Sequence, residues 1–575
     1  MSASIEVRGD RAVLRSPFNQ EALTTIRQVP GLRWSGTHRV WHGPVTCLEE
    51  LITAAGQHWP LHLDNTVHQE RARIVRARKS ARSAVCDESL SLPGGQLYPY
   101  QAAGVRFLRD RHGVGLIADE MGLGKTVQAL ALAHSIDGPV LVICPASLRL
   151  NWAAEIEKWL HTPPRDIVIG GIKQKKRNPL PWTCVSQPDT LPAGAPFYVV
   201  NYDILSRWKN RLRLAAPWGL VVFDESHFLK NSRSQRSRAA QEIRDCSRRV
   251  VLLSGTPAAN GIQDLWHQLH LLDPQLWSGK ERGYKGFTAK YAGGFEGKWG
   301  WQLRPDRAKA GDLEDLGENI VGTFIARRTK TQVLPDLPKK TRCTVQLDTA
   351  SMTTTNYMAQ VSALEALREQ LKGAAGNDER IQTIQGEILG GMATLRQRLG
   401  VMKVEAAVHW CNETLETKPF VIFAWHREVQ TELYERLQRE DDRKVGAIFG
   451  SHSAQERAAT VAAFQAGELD VLVCSILAAG VGLTLTRASH VVFLERSYRP
   501  ADLDQAEDRI HRIGQEQPCW AWYLDAPSTF DATLAKAVDA KRDAHSLVLD
   551  GEVLRMDGSP QAQLQLFQLY MNARQ

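Results

Sequence analysis

The sequence predicts an α/β protein: two tandem parallel-sheet lobes with helical protrusions, preceded by a small N-terminal α+β accessory domain. Three observations carry this. Short apolar runs at residues 114–118, 140–144, 197–200, 220–223 and 250–253 are each followed by a helix or a polar loop, the pattern of buried parallel strands. A second series repeats it at 420–423, 445–449, 471–474, 491–494 and 520–524. A chain of 575 residues also has room for three or four compact units of ~150 residues.

Composition narrows the class. Hydrophobic residues at 43% and charged residues at 23% exclude wholesale disorder. A net charge of +8 favours a polyanionic partner, although many enzymes of this size carry as much without one. The nine cysteines stand singly with no C-x-x-C pair, which argues for reduced thiols and against a zinc site or disulfide framework. The apolar runs fall far short of the ~18 residues that span a bilayer. Glu6 and Arg8 leave no apolar segment for a signal peptide. The expectation is a soluble cytoplasmic protein without membrane contact, nucleoid-associated in a prokaryote or virus and nuclear in a eukaryote.

Residues 1–90 stand apart from the rest of the chain. They hold Pro30-Gly31-Leu32-Arg33-Trp34, then Arg39-Val40-Trp41, then a helical stretch over 47–56. The basic run Arg71, Arg73, Arg76, Arg78, Lys79 and Arg82 reads as a solvated tether rather than a track for phosphates. Leu92-Pro93-Gly94-Gly95 punctuates the chain as a linker. The first lobe is expected over 91–335 and the second over 336–550, with a helical protrusion at 350–416 and a C-terminal tail at 551–575.

Chemistry concentrates behind two strands. Asp119-Glu120-Met121-Gly122-Leu123-Gly124-Lys125-Thr126 follows the first apolar run and leads into a helix over 127–134. Small residues let backbone N–H groups curl round a phosphate, and the helix N-terminus adds partial positive charge. Lys125 would reach the β- and γ-phosphates, and the Thr126 hydroxyl would ligate Mg²⁺. Asp119 occupies the place of the usual first glycine. A chance Gly-rich turn is the alternative, disfavoured by the flanking strand and helix. The run 220–223 ends in Asp224-Glu225-Ser226-His227, where Asp224 would hold Mg²⁺ through water and Glu225 would orient or deprotonate the attacking water. An isolated Asp-Glu pair is more often a solvated turn; roughly a hundred residues after a phosphate loop it completes an ATPase site. Ser254-Gly255-Thr256 ends the next strand, where small hydroxyl residues would couple the γ-phosphate to a partner domain.

With these motifs in this order, the chain resembles the Swi/Snf family of superfamily 2 helicase-related ATPases over residues 97–525. Leu97-Tyr98-Pro99-Tyr100-Gln101 is similar to the family's adenine-side motif, which implies that Gln101 lies near the base. Asp119 is normal in the family's phosphate loop. Ile143-Cys144-Pro145-Ala146-Ser147-Leu148 resembles a DNA-backbone motif, and Asp224 to His227 is the D-E-x-H box, continuing into Phe228-Leu229-Lys230-Asn231. Leu253-Ser254-Gly255-Thr256-Pro257 matches the coupling motif, and Arg327-Arg328-Thr329-Lys330 resembles the segment leading out of the first lobe. In the second lobe, Ala479-Gly480-Val481-Gly482-Leu483-Thr484-Leu485-Thr486 looks like the fifth motif. Gln505-Ala506-Glu507-Asp508-Arg509-Ile510-His511-Arg512-Ile513-Gly514-Gln515 is the most specific signature. The resemblance implies that Arg509 and Arg512 are arginine fingers reaching the γ-phosphate; on residues alone they read as an exposed basic helix. Tyr498-Arg499-Pro500 departs from the family's Trp-Asn-Pro, and no role is transferred to Arg499.

The resemblance implies two RecA-like lobes that close on ATP and Mg²⁺, with DNA lying across both. Phe423-Ala424-Trp425-His426 is similar to the annealing-helicase subgroup, whose members carry a HARP domain ahead of the ATPase. Arg33, Trp34, Arg39 and Trp41 would then either stack bases and contact phosphates or form the core of a small accessory fold. The expected function is a DNA-dependent ATPase and duplex DNA translocase that remodels DNA structures or DNA-protein complexes, with annealing or fork-remodelling activity, on duplex, forked or gapped DNA. A strand-separating helicase on DNA or RNA is the alternative. An inactive DNA clamp is disfavoured, because Lys125, Asp224, Glu225, Arg509 and Arg512 are all present. Lys290, Lys298, Trp299 and Trp301 are left between DNA contact and packing.

Overall fold

The computed structural model describes all residues except 1, 175–178, 259–260, 298–299, 304–308, 310–311, 314–315, 318–319, 349–353, 375–376, 441–442, 477–482, 548–559 and 574–575. Backbone packing divides the chain into Met1–Pro335 and Asp336–Gln575.

The first unit begins with a five-stranded sheet of β1 (Ala3–Arg8), β2 (Arg11–Arg15), β3 (Arg33–Ser35), β4 (Val40–Pro44) and β5 (Leu61–Leu63), in the order β3-β4-β2-β1-β5. Its pairings are antiparallel except β1 with β5. Helices α1 (Gln20–Gln28) and α2 (Leu48–Gly56) cover a core of Ile5, Leu14, Ile26, Trp41, Leu48 and Leu51. Asn19 caps α1 by accepting from the Glu21 and Ala22 amides, which satisfies two N–H groups the helix cannot.

The basic run is not a tether. It forms helix α3 (Asn65–Arg82), capped by Asp64 and packed along α4 (Pro99–Asp110). Arg71 pairs with Glu49 at 2.7 Å, Arg73 with Glu70 at 3.5 Å and Arg76 with Asp110 at 3.2 Å, so half of the run is committed to partners within the fold. Thr46 and Glu50 of the small domain also bond to Asp273 (2.5 Å) and Arg282 (3.0 Å) beyond it. The linker at 92–95 folds as a ribbon of β6 (Ser91–Leu92) and β7 (Gly95–Gln96), pinned where the Gly94 amide donates to the Trp159 carbonyl at 3.0 Å.

The main sheet of this unit is wholly parallel. It comprises β8 (Val114–Ile117), β9 (Val140–Cys144), β10 (Ile167–Gly170), β11 (Thr183–Val185), β12 (Phe197–Asn201), β13 (Leu220–Asp224), β14 (Val250–Leu253) and β17 (Ile325–Ala326), ordered β11-β10-β12-β9-β13-β14-β8-β17. A hairpin of β15 (Gly294–Gly297) and β16 (Gly300–Leu303) sits apart. There Trp301 donates to the Thr288 hydroxyl at 3.0 Å and lies under Lys285, which is packing within the lobe. Lys290 sits over the Tyr291 ring, whereas Lys298 and Trp299 lie outside the described residues.

The second unit carries another parallel sheet of β18 (Lys340–Gln346), β19 (Phe420–Ala424), β20 (Val445–Ile448), β21 (Val471–Ser475), β22 (His490–Phe493) and β23 (Cys519–Asp525), ordered β18-β23-β22-β19-β21-β20. Of the expected protrusion, Thr355–Gly373 and Asp378–Leu415 are helices, but the latter's Val404, Ala407, Val408 and Cys411 belong to the sheet's core. The C-terminal stretch is likewise more than a tail: helix Pro560–Ala573 buries Leu566, Phe567, Tyr570 and Met571, and the Tyr570 and Tyr357 hydroxyls lie 2.6 Å apart.

Candidate active site

Four adjacent strands of the first unit, β13, β14, β8 and β17, end in register: Asp224 lies opposite Leu253, Leu253 opposite Ile117, and Ile117 opposite Ala326. The segments leaving these strands therefore meet at the carboxyl edge, where open parallel sheets bind ligands. Here that means Asp224 and Glu225, Ser254 to Thr256, the 118–124 loop, and Arg327 with Arg328.

The loop after β8 is built by its glycines and closed by Lys125. Gly124 caps α5 (Lys125–His134) at φ +75°, a left-handed conformation that favours glycine, and a Cβ there would push on the Gln101 amide at 2.4 Å. Lys125 Nζ donates to the Asp119 carbonyl at 2.9 Å and the Glu120 carbonyl at 3.4 Å, bending the loop round its own cation. Thr126 follows in the first turn of α5, whose leading N–H groups have no intrahelical acceptor. Gln101 donates to the Leu123 carbonyl at 3.2 Å and accepts from the Tyr98 amide at 3.0 Å, so its side chain helps shape the loop. The Met121 side chain packs against Gly255, where a Cβ would lie 2.6 Å from its Cγ and 3.4 Å from Lys125 Nζ. Gly255 lets the β14 turn close over the loop.

Asp224 ends β13 with little exposure. Its Oδ2 accepts from the Trp152 indole at 2.8 Å and its Oδ1 from the Glu225 amide at 2.9 Å. Burial, then the neighbouring Glu225 charge, pushes its carboxyl up to about 7; Lys125 acts in the opposite direction. Glu225 sits at φ +50°, a left-handed conformation that a β-carbon makes unfavourable. Its carboxylate lies 3.3 Å from His227 Nδ1, which is also 3.2 Å from the Ser254 hydroxyl; that hydroxyl accepts from the Thr256 amide at 3.3 Å. His227 thus stands between the second carboxylate, which it meets at ion-pair distance, and the next strand's turn, which it hydrogen-bonds. Each Asp224 oxygen keeps a lone pair, and one or two carboxylates, a hydroxyl and phosphate oxygens are the donor set that suits Mg²⁺.

Several residues here carried no site role in the sequence. Arg328 is fully buried and donates to Asp119 Oδ2 at 3.0 Å, and Asp119 also accepts from Gln128 at 2.9 Å. The Asp119 side chain therefore fastens the loop from behind instead of facing a phosphate. Arg327 donates to the Ala118 carbonyl at 3.0 Å, and Glu120 accepts from the Lys330 amide at 2.8 Å. The four-residue run with two arginines was legible as a motif, but its wiring to the loop was not; Trp152 gave no signal at all.

In the second unit, Arg509 and Arg512 follow helix Pro500–Glu507, which carries Gln505. Both guanidinium groups donate to the Leu483 carbonyl, at 3.4 and 3.1 Å. Arg509 is buried and Arg512 partly so, in the bend that follows the helix rather than on an exposed helix. Gly480 and Gly482 lie outside the described residues. Glu507, fully buried, gathers Lys340 (2.8 Å), Arg342 (2.7 Å) and the Tyr523 hydroxyl (2.6 Å), tying the first strand of the unit to the arginine turn. Gln515 donates to the Thr486, Ala488 and Ile510 carbonyls at 3.1, 2.9 and 3.0 Å.

A family model for the SNF2-related domain matches residues 100–400, and one for the helicase conserved C-terminal domain matches 402–514. A Caenorhabditis elegans protein named SWI/SNF-related matrix-associated actin-dependent regulator of chromatin subfamily A-like protein 1 homolog is 30% identical over 555 residues, spanning 93% of this chain and 74% of its own. The Drosophila melanogaster protein named as subfamily A-like protein 1 is 31% identical, spanning 93% and 67%. A human protein named DNA annealing helicase and endonuclease ZRANB3 is 31% identical over 464 residues, spanning 79% of this chain and 40% of its own.

Proposed function

The chain belongs to the SNF2-related ATPase family, and from that premise we propose that it hydrolyses Mg-ATP in response to DNA and uses the cycle to move along a duplex, remodelling DNA structures or DNA-protein complexes. The observation that carries this reading is the meeting of Lys125, Asp224, Glu225 and Ser254 at one edge of a parallel sheet. Loop amides and Lys125 hold the phosphates, and Thr126 with Asp224 would hold Mg²⁺, which supplies charge to the transferring phosphoryl group. Glu225 orients the attacking water, with its proton directed toward the carboxylate and His227 alongside. Arg509 and Arg512, the arginines of the family's last motif, would supply positive charge to the transferring phosphoryl group.

The small N-terminal domain would choose the DNA. Trp34 is 50% exposed and leans on Trp41, which is 8% exposed and part of the core, so one tryptophan offers a stacking face and the other supports it from within. Arg33, next to Trp34 along β3, and Arg39, just before β4, are exposed as well, and cations in the same segment as a stacking surface suit unpaired bases. The human relative is named an annealing helicase, and fork or annealing activity is the finer form of this proposal. The endonuclease in that name is not carried over, since this chain spans 40% of that protein.

An ATPase titration with single-stranded, duplex and forked DNA and with RNA, at fixed salt, tests the reading. Stimulation by duplex or forked DNA without strand separation supports it. Stimulation by RNA, or efficient strand displacement, favours the helicase alternative.

A further inference from the structure

We propose that Arg328 is a positioning residue of the hydrolysis site and that helix α3 sets its position, so that the N-terminal domain acts on the phosphate loop through it. This inference rests on the ATPase reading above. Arg328 is the point where three parts of the first unit meet. Nη1 donates to Asp119 Oδ2 at 3.0 Å, at the start of the loop, and to the Tyr100 carbonyl of α4 at 2.8 Å. Nη2 faces the Ser80 carbonyl at the end of α3, at 3.4 Å.

The contact with α3 uses what a helix end must offer. A carbonyl at a helix C-terminus carries partial negative charge, and that of Ser80, which accepts the Ser83 amide at 3.3 Å, has a second lone pair for the guanidinium. Ala81, the next residue, accepts from the Arg327 amide at 3.1 Å, so two consecutive carbonyls of α3 hold two consecutive residues of the segment beside the loop. Backbone bonds then carry that segment directly to the loop: Ala118 N donates to Ala326 O at 2.7 Å and Glu120 N to Arg328 O at 2.9 Å.

The fit leaves little slack. A Cβ on Gly322, at φ +87°, would lie 3.1 Å from the Arg78 backbone, so α3 is seated against the edge of the sheet. Arg328 and Asp119 are both fully buried, and Arg328 Nε and Asp119 Oδ1 have no hydrogen-bond partner among the described residues. A buried ionic network with unmet atoms tolerates displacement poorly. If α3 shifts on α4, Arg328 must leave Ser80, Tyr100 or Asp119, and the loop loses its rear fastening.

The anchors of α3 away from the loop make this testable. Arg76 donates to Asp110 at 3.2 Å from a half-exposed position, and buried Glu70 lies 3.1 Å from His112. In the full chain, Arg76→Ala and Glu70→Gln are compared with wild type for ATP KM and kcat at saturating duplex DNA, and for hydrogen exchange of the amides at 118–124. The expected result is a KM raised by about 5-fold or more with kcat nearly kept, and faster exchange in the loop but not in β9 or β12. Arg328→Gln should show the same pattern more strongly. An unchanged KM and loop exchange in folded Arg76→Ala would overturn the linkage, and so would faster exchange across the whole first unit. Should wild type hydrolyse no ATP, the ATPase reading falls, while the exchange comparison still decides whether α3 governs the loop.

Discussion

His227 Nδ1 lies 3.2 Å from the Ser254 hydroxyl, so the D-E-x-H box and the turn after the neighbouring strand share one hydrogen-bonded path. A Glu225 carboxylate oxygen lies 3.3 Å from the same nitrogen, a charge contact rather than a hydrogen bond. Ser254→Ala removes the hydroxyl and cuts this path. DNA-stimulated kcat should fall while ATP affinity stays within about 2-fold, a split that separates uniform binding from transition-state effects. Equal loss of ATP binding and kcat would place Ser254 in nucleotide binding instead.

Lys125→Ala should abolish hydrolysis without unfolding the chain. The side chain is partly exposed and fills no core volume, and it donates to carbonyls of its own loop. A thermal melt within about 1 kcal/mol of wild type, together with lost turnover, is the expected pair of results.

Glu225→Gly tests strain against chemistry at one position. The residue holds φ +50°, where glycine carries no Cβ penalty, so the unfolding free energy should stay level or rise by up to about 1 kcal/mol. Hydrolysis should collapse, because the water-orienting carboxylate is gone. A destabilised variant would show that the carboxylate's contacts outweigh the backbone cost.

Arg509→Ala and Arg512→Ala should lower saturated turnover by up to about 10³-fold with ATP affinity largely kept. Both side chains also hold the Leu483 carbonyl, so local hydrogen exchange at 483–486 reports any structural share of the loss.

Acid should weaken the second unit through His490. Burial, then the Lys418 charge, holds its imidazole down to about 4. In the described geometry Nδ1 faces the Trp522 indole N–H at 3.1 Å and so must accept, which protonation would forbid. The folded value lies below the ordinary 6.5, so the unfolded chain binds the proton more readily. Stability should fall as pH drops from about 6.5 toward 4 and level off below, and His490→Asn should flatten that limb of the melting curve.

The sequence made the long apolar strands legible because a strand buried on both faces is apolar at every position, as in β9 and β13. It concealed β18, whose Lys340-Thr341-Arg342-Cys343-Thr344 alternates at the sheet edge, and β17, which has two residues. Lys125, Asp224 and Ser254 could be read because each lies close behind an apolar run. Arg328 could not, because its burial is decided by Asp119, 209 positions earlier. The basic run misled for the same reason: the partners that make it a packed helix, Glu49 and Asp110, lie outside any local window. The last helix was legible in principle, since Leu564, Phe567 and Tyr570 recur at helical spacing.

That last helix bears on how the chain can be handled. Leu566, Phe567, Tyr570 and Met571 are plugged into the second unit, and Arg368 reaches across to the Met571 carbonyl at 3.3 Å. A version trimmed before Pro560 would bare Tyr357 and its apolar neighbours to water, and such a patch on an otherwise folded molecule invites self-association. Shortening for expression or crystallisation is thus better attempted elsewhere. A bulky fusion placed directly after Gln575 should be separated from this helix by a polar spacer.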